Sequence, residues 1–195
     1  MSPLAARIHC ALPQTQCTRC GYPDCASYAQ ALADGAAEIN QCPPGGAEGI
    51  ARLSAITGRA ALPLNPANGA EGPRTVAVID EAWCIGCTLC LPACSTDAIV
   101  GSNKLMHTVI EPDCTGCELC IAVCPVDCIS LENVTGERTG WHAWSQPQAE
   151  RALQRYAFHR SREPAEPDAA QVDGAVRKRA VIEAALARAR AKRAG

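Results

Sequence analysis

Aromatic side chains are scarce in this sequence: one Phe, three Trp and three Tyr among 195 residues, with only two Met. An aromatic residue buries ~150–250 Å², so a large conventional core is excluded and something else must hold part of the chain together. No run approaches the ~18–20 apolar residues that a membrane-spanning helix needs, and the first thirty residues carry no apolar stretch of a secretory leader. The four His are scattered, which leaves no readable Cys–His pairing for a catalytic thiol. Against these shortages stand fourteen Cys. In a secreted chain an even number suggests disulfides. Clustered C-x2-C spacing without a leader reads instead as metal binding in a reducing cytoplasm.

The net charge of −2 conceals an asymmetry. Residues 1–146 hold fourteen acids and seven bases, and residues 147–195 hold six acids and eleven bases. The cysteine-bearing part is acidic and a basic end follows it. The bases are not interleaved with aromatics, so a nucleic-acid partner is not expected.

Cys84 to Cys94 reads CIGCTLCLPAC, and Cys114 to Pro125 reads CTGCELCIAVCP. This is C-x2-C-x2-C-x3-C written twice, thirty residues apart. Three thiolates at this spacing cup one cubane iron–sulfur cluster, and the fourth Cys of each run ligates the other cluster. Cys84, Cys87, Cys90 and Cys124 are therefore expected to hold one [4Fe–4S], and Cys94, Cys114, Cys117 and Cys120 another. Paired zinc sites are the rival, although zinc modules usually join two Cys to two distant ligands. Residues 84–99 and 114–129 share eight identities in sixteen, four of them outside the cysteines: Gly86/Gly116, Leu89/Leu119, Asp97/Asp127 and Ile99/Ile129. These argue for a duplicated unit. The isoleucines are expected to keep water off the clusters, and the aspartates to serve turns.

A second constellation precedes the repeat. Cys17, Cys20, Cys25 and Cys42 form C-x2-C-x4-C-x16-C, a set that suits one more [4Fe–4S]; taken alone, zinc remains open here. Residues 26–37 read as a helix with Tyr28, Ala29, Leu32 and Ala36 near one face, and residues 47–56 as another. Residues 60–74 are rich in Pro, Gly and Asn and read as a linker. Strands are expected at 75–80, 98–100, 107–110 and 128–131, with a short helix after each Cys triplet.

The order CxxCGYPxC, INxCPPGG, a Pro-rich linker, VAVIDE, CIGCTLC, AIVGSNKLMHTVI and CTGCELC resembles the B subunit of the Rnf/Rsx electron-transport complex over about two-thirds of the chain. The resemblance implies three [4Fe–4S] clusters on the twelve cysteines named above. It also implies electron transfer between a soluble partner and a membrane complex that couples redox flow to ion movement, with the other subunits of that complex, or soluble redox proteins, as partners. Family members commonly begin with a hydrophobic anchor. This sequence shows none, so the expectation is a cytoplasmic version that reaches the inner membrane peripherally. A second departure is Ser95 after Cys94, where the pattern prefers Pro, as at Pro125. Its N–H and O–H are expected near a cluster sulfur, where a donor stabilises the reduced form.

The expected fold is α+β: a small helical [4Fe–4S] module (1–59), a linker (60–74), a two-cluster bacterial-type ferredoxin domain (75–135) and a helical, basic extension (136–195). Ser145-x-x-Gln148 with Pro147 reads as a capping box that starts a helix, docked on the ferredoxin unit by Trp141 and Trp144. The last residues, with Arg177, Lys178, Arg179, Arg188, Arg190, Lys192 and Arg193, read as a basic surface helix that can meet anionic lipid. Cys10 and Cys128 are left over as incidental thiols, and His107 is a minor candidate for redox tuning. No group makes or breaks substrate bonds, so the chain has no catalytic residue of its own. The alternatives are a free soluble ferredoxin and a zinc-binding interaction module.

Overall fold

The computed structural model describes residues 1–162, of which 1–161 form one compact unit. The basic helix expected near the end of the chain lies outside these residues. Three helices build the first part: α1 (Pro3–Cys10), α2 (Cys25–Ala33) and α3 (Gly46–Thr57). The sequence reading missed α1, although its signals are local: the Ser2 hydroxyl accepts the Ala5 N–H at 3.2 Å and Pro3 occupies the first turn. Asp24 caps α2 by accepting the Ser27 N–H at 2.6 Å. That helix stops at Ala33, and left-handed Gly35 follows, so Ala36 is exposed instead of joining Tyr28, Ala29 and Leu32 on the buried face. Gly58, left-handed at φ 73°, ends α3.

The repeat carries β1 (Thr75–Ile79), α4 (Cys90–Ala93), β2 (Ile99–Gly101), β3 (His107–Val109) and β4 (Ile129–Asn133). β1 pairs antiparallel with β4, Thr75 opposite Asn133 and Ile79 opposite Ile129, and β2 pairs with β3, Ile99 opposite Val109. The four expected strands are present within a residue or two. A helix follows only the first Cys triplet; turns follow the second. The ladder between β1 and β4 ties the beginning of the duplicated unit to its end.

Residues 60–74 are pinned, not loose. Asn40 and Asn65 bond across to Pro63 and Asn40, the Asn68 amide donates to the Arg19 carbonyl at 2.9 Å, and Glu71 accepts from the Ala47 N–H and the Thr139 hydroxyl. The last helix, α5 (Gln146–Arg162), opens on the expected capping box. The Gln148 side chain accepts from the Ser145 N–H at 2.9 Å, and the Gln148 N–H points back to the Ser145 hydroxyl.

Two hydrophobic cores result. One gathers Ile8, Leu12, Tyr28, Leu32, Ile39, Ile50 and Leu53 around Cys20, Cys25 and Cys42. The other gathers Ala77, Ile79, Ala98, Ile99 and Ile129 around Cys90, Cys94, Cys120 and Cys128. Sulfur takes the place that aromatic rings fill in a larger core.

Candidate metal centre

The loop from Pro13 to Cys25 is unusual for its buried polar side chains. Gln14, Thr15 and Gln16 are each 2% exposed. Gln14, Gln16 and Thr18 are all left-handed, with φ of 58°, 53° and 58°, a conformation that non-glycine residues hold only under strong constraint. The constraint is a side-chain relay. The Gln16 carbonyl oxygen accepts the Cys25 N–H at 2.9 Å, the Gln16 amide donates to Gln14, and the Gln14 amide donates to the His9 carbonyl. The loop is thereby curled around Cys17 and Cys20, with Cys25 opening α2 at its positive end. Cys42 arrives beside Gly45, where a Cβ would sit 3.4 Å from the Cys42 sulfur. Sequence reasoning passed over both glutamines, because nothing local marks them.

The two halves of the repeat share one backbone. Gly86 and Gly116 have φ of 67° and 64°, Thr88 and Glu118 have 66° and 68°, and Asp97 and Asp127 have 50° and 51°. Alternating right- and left-handed residues turn successive N–H groups toward one side, forming a concavity that favours negative charge. Cys84, Cys87, Cys90 and Cys124 line one cavity together with Ile79, Ile85, Val126 and Ile129. Cys94, Cys114, Cys117 and Cys120 line a second together with Ala77, Ala98 and Ile99. The fourth cysteine of each run thus crosses to the other run's cavity. Ala77 and Ile79 face the two cavities from one strand, about 7 Å apart along it, so the cavities are neighbours.

None of the fourteen cysteines is paired in a disulfide. Burial pushes the Cys20, Cys25 and Cys42 thiols up, and the neighbouring sulfurs push them further. In the repeat, burial raises Cys90 and Cys117 and takes Cys120 up to about 12, with the sulfurs of Cys117, Cys94 and Cys114 contributing. The thiols so raised need a cation beside them to ionise and become ligands. Among the described residues no three His, Cys, Asp or Glu side chains gather to hold a single metal ion. The sulfurs instead surround space, which suits a polynuclear cluster better than mononuclear zinc.

Several donors already point at these sulfurs. Ala98 N–H donates to Cys94 at 3.1 Å and Ala77 N–H to Cys114 at 3.3 Å. Burial opposes ionisation of Cys124, but the N–H groups of Val126 and Cys128 and the Cys128 thiol outweigh it and lower that cysteine. The Cys128 sulfur lies 3.5 Å from Cys124 and lines the same cavity; burial and then Cys124 hold its own thiol up at about 12. Cys128 is thus a small buried side chain at the edge of the site. Cys10 is exposed at the end of α1.

The Ser95 hydroxyl is buried with no hydrogen-bond partner among protein atoms. Thr96 lines the cavity and brings its hydroxyl within 3.9 Å of the Cys94 sulfur. Trp144 lies beside the repeat, with Arg74 over its ring at 5.3 Å and Thr75, Thr115 and Gly116 nearby, whereas Trp141 departs from expectation. Trp141 docks on the first module: its indole N–H donates to the Ala11 carbonyl at 3.0 Å, its ring lies against Gly49, and Arg52 covers it at 4.2 Å. Polar groups of α5 hold the repeat. Arg151 and Arg155 reach the buried Asp113, Arg155 also donates to the Thr96 and Asp97 carbonyls, and His159 meets the Asp97 carboxylate at 2.7 Å. From the same helix, Tyr156 donates to Asp24 at the start of α2. The loop of Cys17 and Cys20 meets the loop of Cys114 and Cys117 directly, through the Thr115 hydroxyl on the Thr15 carbonyl at 3.0 Å and the ion pair of Arg19 with Glu118.

Residues 77–131 match the family model of the 4Fe-4S dicluster domain, and residues 12–44 match the model described as "Putative Fe-S cluster". The chain is 59% identical to the B subunit of the ion-translocating oxidoreductase complex of Azoarcus sp. (strain BH72) over 148 residues, 76% of this chain and 80% of that protein. It is 53% identical to the protein of the same description from Thiobacillus denitrificans over 146 residues, 75% and 77% of the two chains. With that from Alkalilimnicola ehrlichii it shares 51% over 158 residues, 80% and 84%.

Proposed function

Because the chain belongs to the family of B subunits of the ion-translocating oxidoreductase complex, we propose that it is the iron–sulfur electron-transfer subunit of such a membrane complex. It would hold three [4Fe–4S] clusters: one on Cys17, Cys20, Cys25 and Cys42, one on Cys84, Cys87, Cys90 and Cys124, and one on Cys94, Cys114, Cys117 and Cys120. Bound there, the clusters supply one-electron storage at low potential. The protein supplies thiolates, N–H donors and an apolar wall that excludes water.

The observation that carries the reading is the contiguity of the three four-thiol sets. The first-module loop touches the loop of Cys114 and Cys117 through Thr15 and Thr115. The two cavities of the repeat then share the face of β1. The order along the molecule is first module, Cys94 site, Cys84 site, a path and not a cluster of alternatives. The two ends of the repeat differ in cover. Thr115 is buried beneath the first module, whereas its counterpart Ile85 is 57% exposed. Trp83, Leu89, Leu105 and Met106 are exposed as well, an apolar surface beside the Cys84 site that suits contact with another redox subunit.

Among the described residues no helix is long and apolar enough to cross a membrane. The test is anaerobic isolation from membranes that retain their integral proteins, followed by iron and sulfide counting and redox-poised EPR. About twelve irons per chain, four per cluster, are expected. Stoichiometric zinc without sulfide overturns the cluster reading. Full cluster content with no recovery on membranes favours the free soluble ferredoxin.

A further inference from the structure

His107 is 1% exposed, the most deeply buried ionisable side chain of the repeat outside the cysteines. It stands on β3 opposite Gly101 of β2. A Cβ at Gly101 would come within 2.4 Å of the imidazole Cδ2 and 2.7 Å of Cγ, so the glycine keeps a place for the ring. The ring lines the cavity of Cys84, Cys87, Cys90 and Cys124, and its Nδ1 lies 3.5 Å from the Cys84 sulfur. Its Nε2 has no partner among protein atoms. A ligating thiolate can only accept, so a hydrogen bond between this ring and Cys84 requires the proton on Nδ1.

The other half of the repeat supplies a comparison. Cys114, the counterpart of Cys84, accepts a hydrogen bond from a main-chain amide, Ala77 N–H at 3.3 Å. Thus the first cysteine of each triplet has one nitrogen within hydrogen-bond reach of its sulfur. On Cys114 the donor belongs to the backbone of β1 and cannot be removed by a side-chain change. On Cys84 it belongs to a side chain.

We propose that His107 donates Nδ1–H to the Cys84 ligand and raises the reduction potential of the cluster held there. The inference rests on the cluster assignment above. An N–H dipole aimed at a ligand sulfur offsets the electron added on reduction, so it favours the reduced form. His107 acts through Cys84 and is a positioning residue for that potential. Gly101 supports it by leaving room for the ring.

The experiment uses the full chain, purified anaerobically with its clusters. His107→Phe keeps a ring and removes the donor, and His107→Gln restores an amide N–H. The expected result for His107→Phe is a tenfold smaller equilibrium constant for reducing the Cys84 site, ~59 mV for one electron. Iron content and the potential of the Cys94 site stay as in the parent. His107→Gln recovers part of the shift. In the parent protein labelled with ¹⁵N-histidine, pulsed EPR of the reduced Cys84 site should show coupling to one ring nitrogen. This measurement needs no variant and holds even if His107→Phe fails to fold. Absence of that coupling, or an unchanged potential in His107→Phe with full iron, overturns the proposal. Iron and sulfide missing from the Cys84 site of the parent protein overturns the cluster assignment and the proposal together, and the metal count distinguishes that case.

Discussion

Trp141 joins the last part of the chain to the first, and its removal tests whether that contact holds the fold together. The side chain is 3% exposed and bonded through Nε1 to Ala11, 130 residues away. Burying ~200 Å² of aromatic surface at ~25 cal/mol/Å² contributes ~5 kcal/mol, and truncating a buried aromatic to alanine costs ~3–5 kcal/mol. The stacked Arg52 adds ~0.5–1 kcal/mol. Trp141→Ala should therefore lose ~4 kcal/mol, a large part of a typical ~5–15 kcal/mol. Trp141→Phe keeps most of the area but leaves the Ala11 carbonyl unpaired, for a loss of ~1–2 kcal/mol. With a urea slope of ~2 kcal/mol per M, the midpoints should fall by ~2 M and ~0.5–1 M respectively. The assay is anaerobic urea unfolding of the cluster-loaded protein, followed by far-UV circular dichroism. Equal midpoints for parent and Trp141→Ala would refute the view that this indole is a principal tie between the first module and the extension.

Three further outcomes are expected. Cys94→Ala should damage the EPR signal of the cluster on Cys114, Cys117 and Cys120 before that on Cys84, Cys87 and Cys90, since Cys94 lines the former cavity; selective loss of the other signal contradicts the crossing. Ser95→Pro removes both the N–H and the O–H and should make the cluster on Cys94, Cys114, Cys117 and Cys120 harder to reduce; an unchanged potential with full iron would leave Ser95 a turn residue only. For the cluster-free protein, Cys120 is raised from 9.0 to about 12 by burial and by neighbouring sulfurs. A folded value above the unfolded one means that its contribution is intact below pH 9 and is lost as pH rises from 9 toward 12. Urea midpoints of the apoprotein should fall through that window while the cluster-loaded protein, its thiolate bonded to iron, does not follow; an apoprotein equally stable across it refutes the raised thiol.

The comparison of halves shows why part of the molecule can be read without its structure. The ligand motif C-x2-C-x2-C-x3-C, the matched Gly86/Gly116 and Asp97/Asp127, and the alternating TVAVI of β1 are local patterns, each set by backbone geometry within a few residues. So is the capping box at Ser145. The crossing of Cys94 and Cys124 is likewise an expectation that this motif carries.

Other features depend on residues far apart in the chain. Thr15 meets Thr115, Trp141 meets Ala11, and Tyr156 meets Asp24, contacts spanning 100, 130 and 132 residues. No local pattern encodes which surface Trp141 chooses, because its ring is apolar on either choice and only the indole N–H partner distinguishes them. The buried glutamine relay behind Cys25 is equally silent in the sequence. Gln14 and Gln16 read as ordinary polar residues until the fold withdraws water from them and makes each hydrogen bond obligatory. The same is true of His107. Its place in a strand was legible from alternation, but its nearness to Cys84 depends on the β2–β3 register that sets its ring against Gly101. Sequence by itself determined the cysteine runs and the strands that flank them, since both are short-range. Tertiary structure decided the order of the sites and the donors around each sulfur, since these depend on which distant backbone comes to rest beside it.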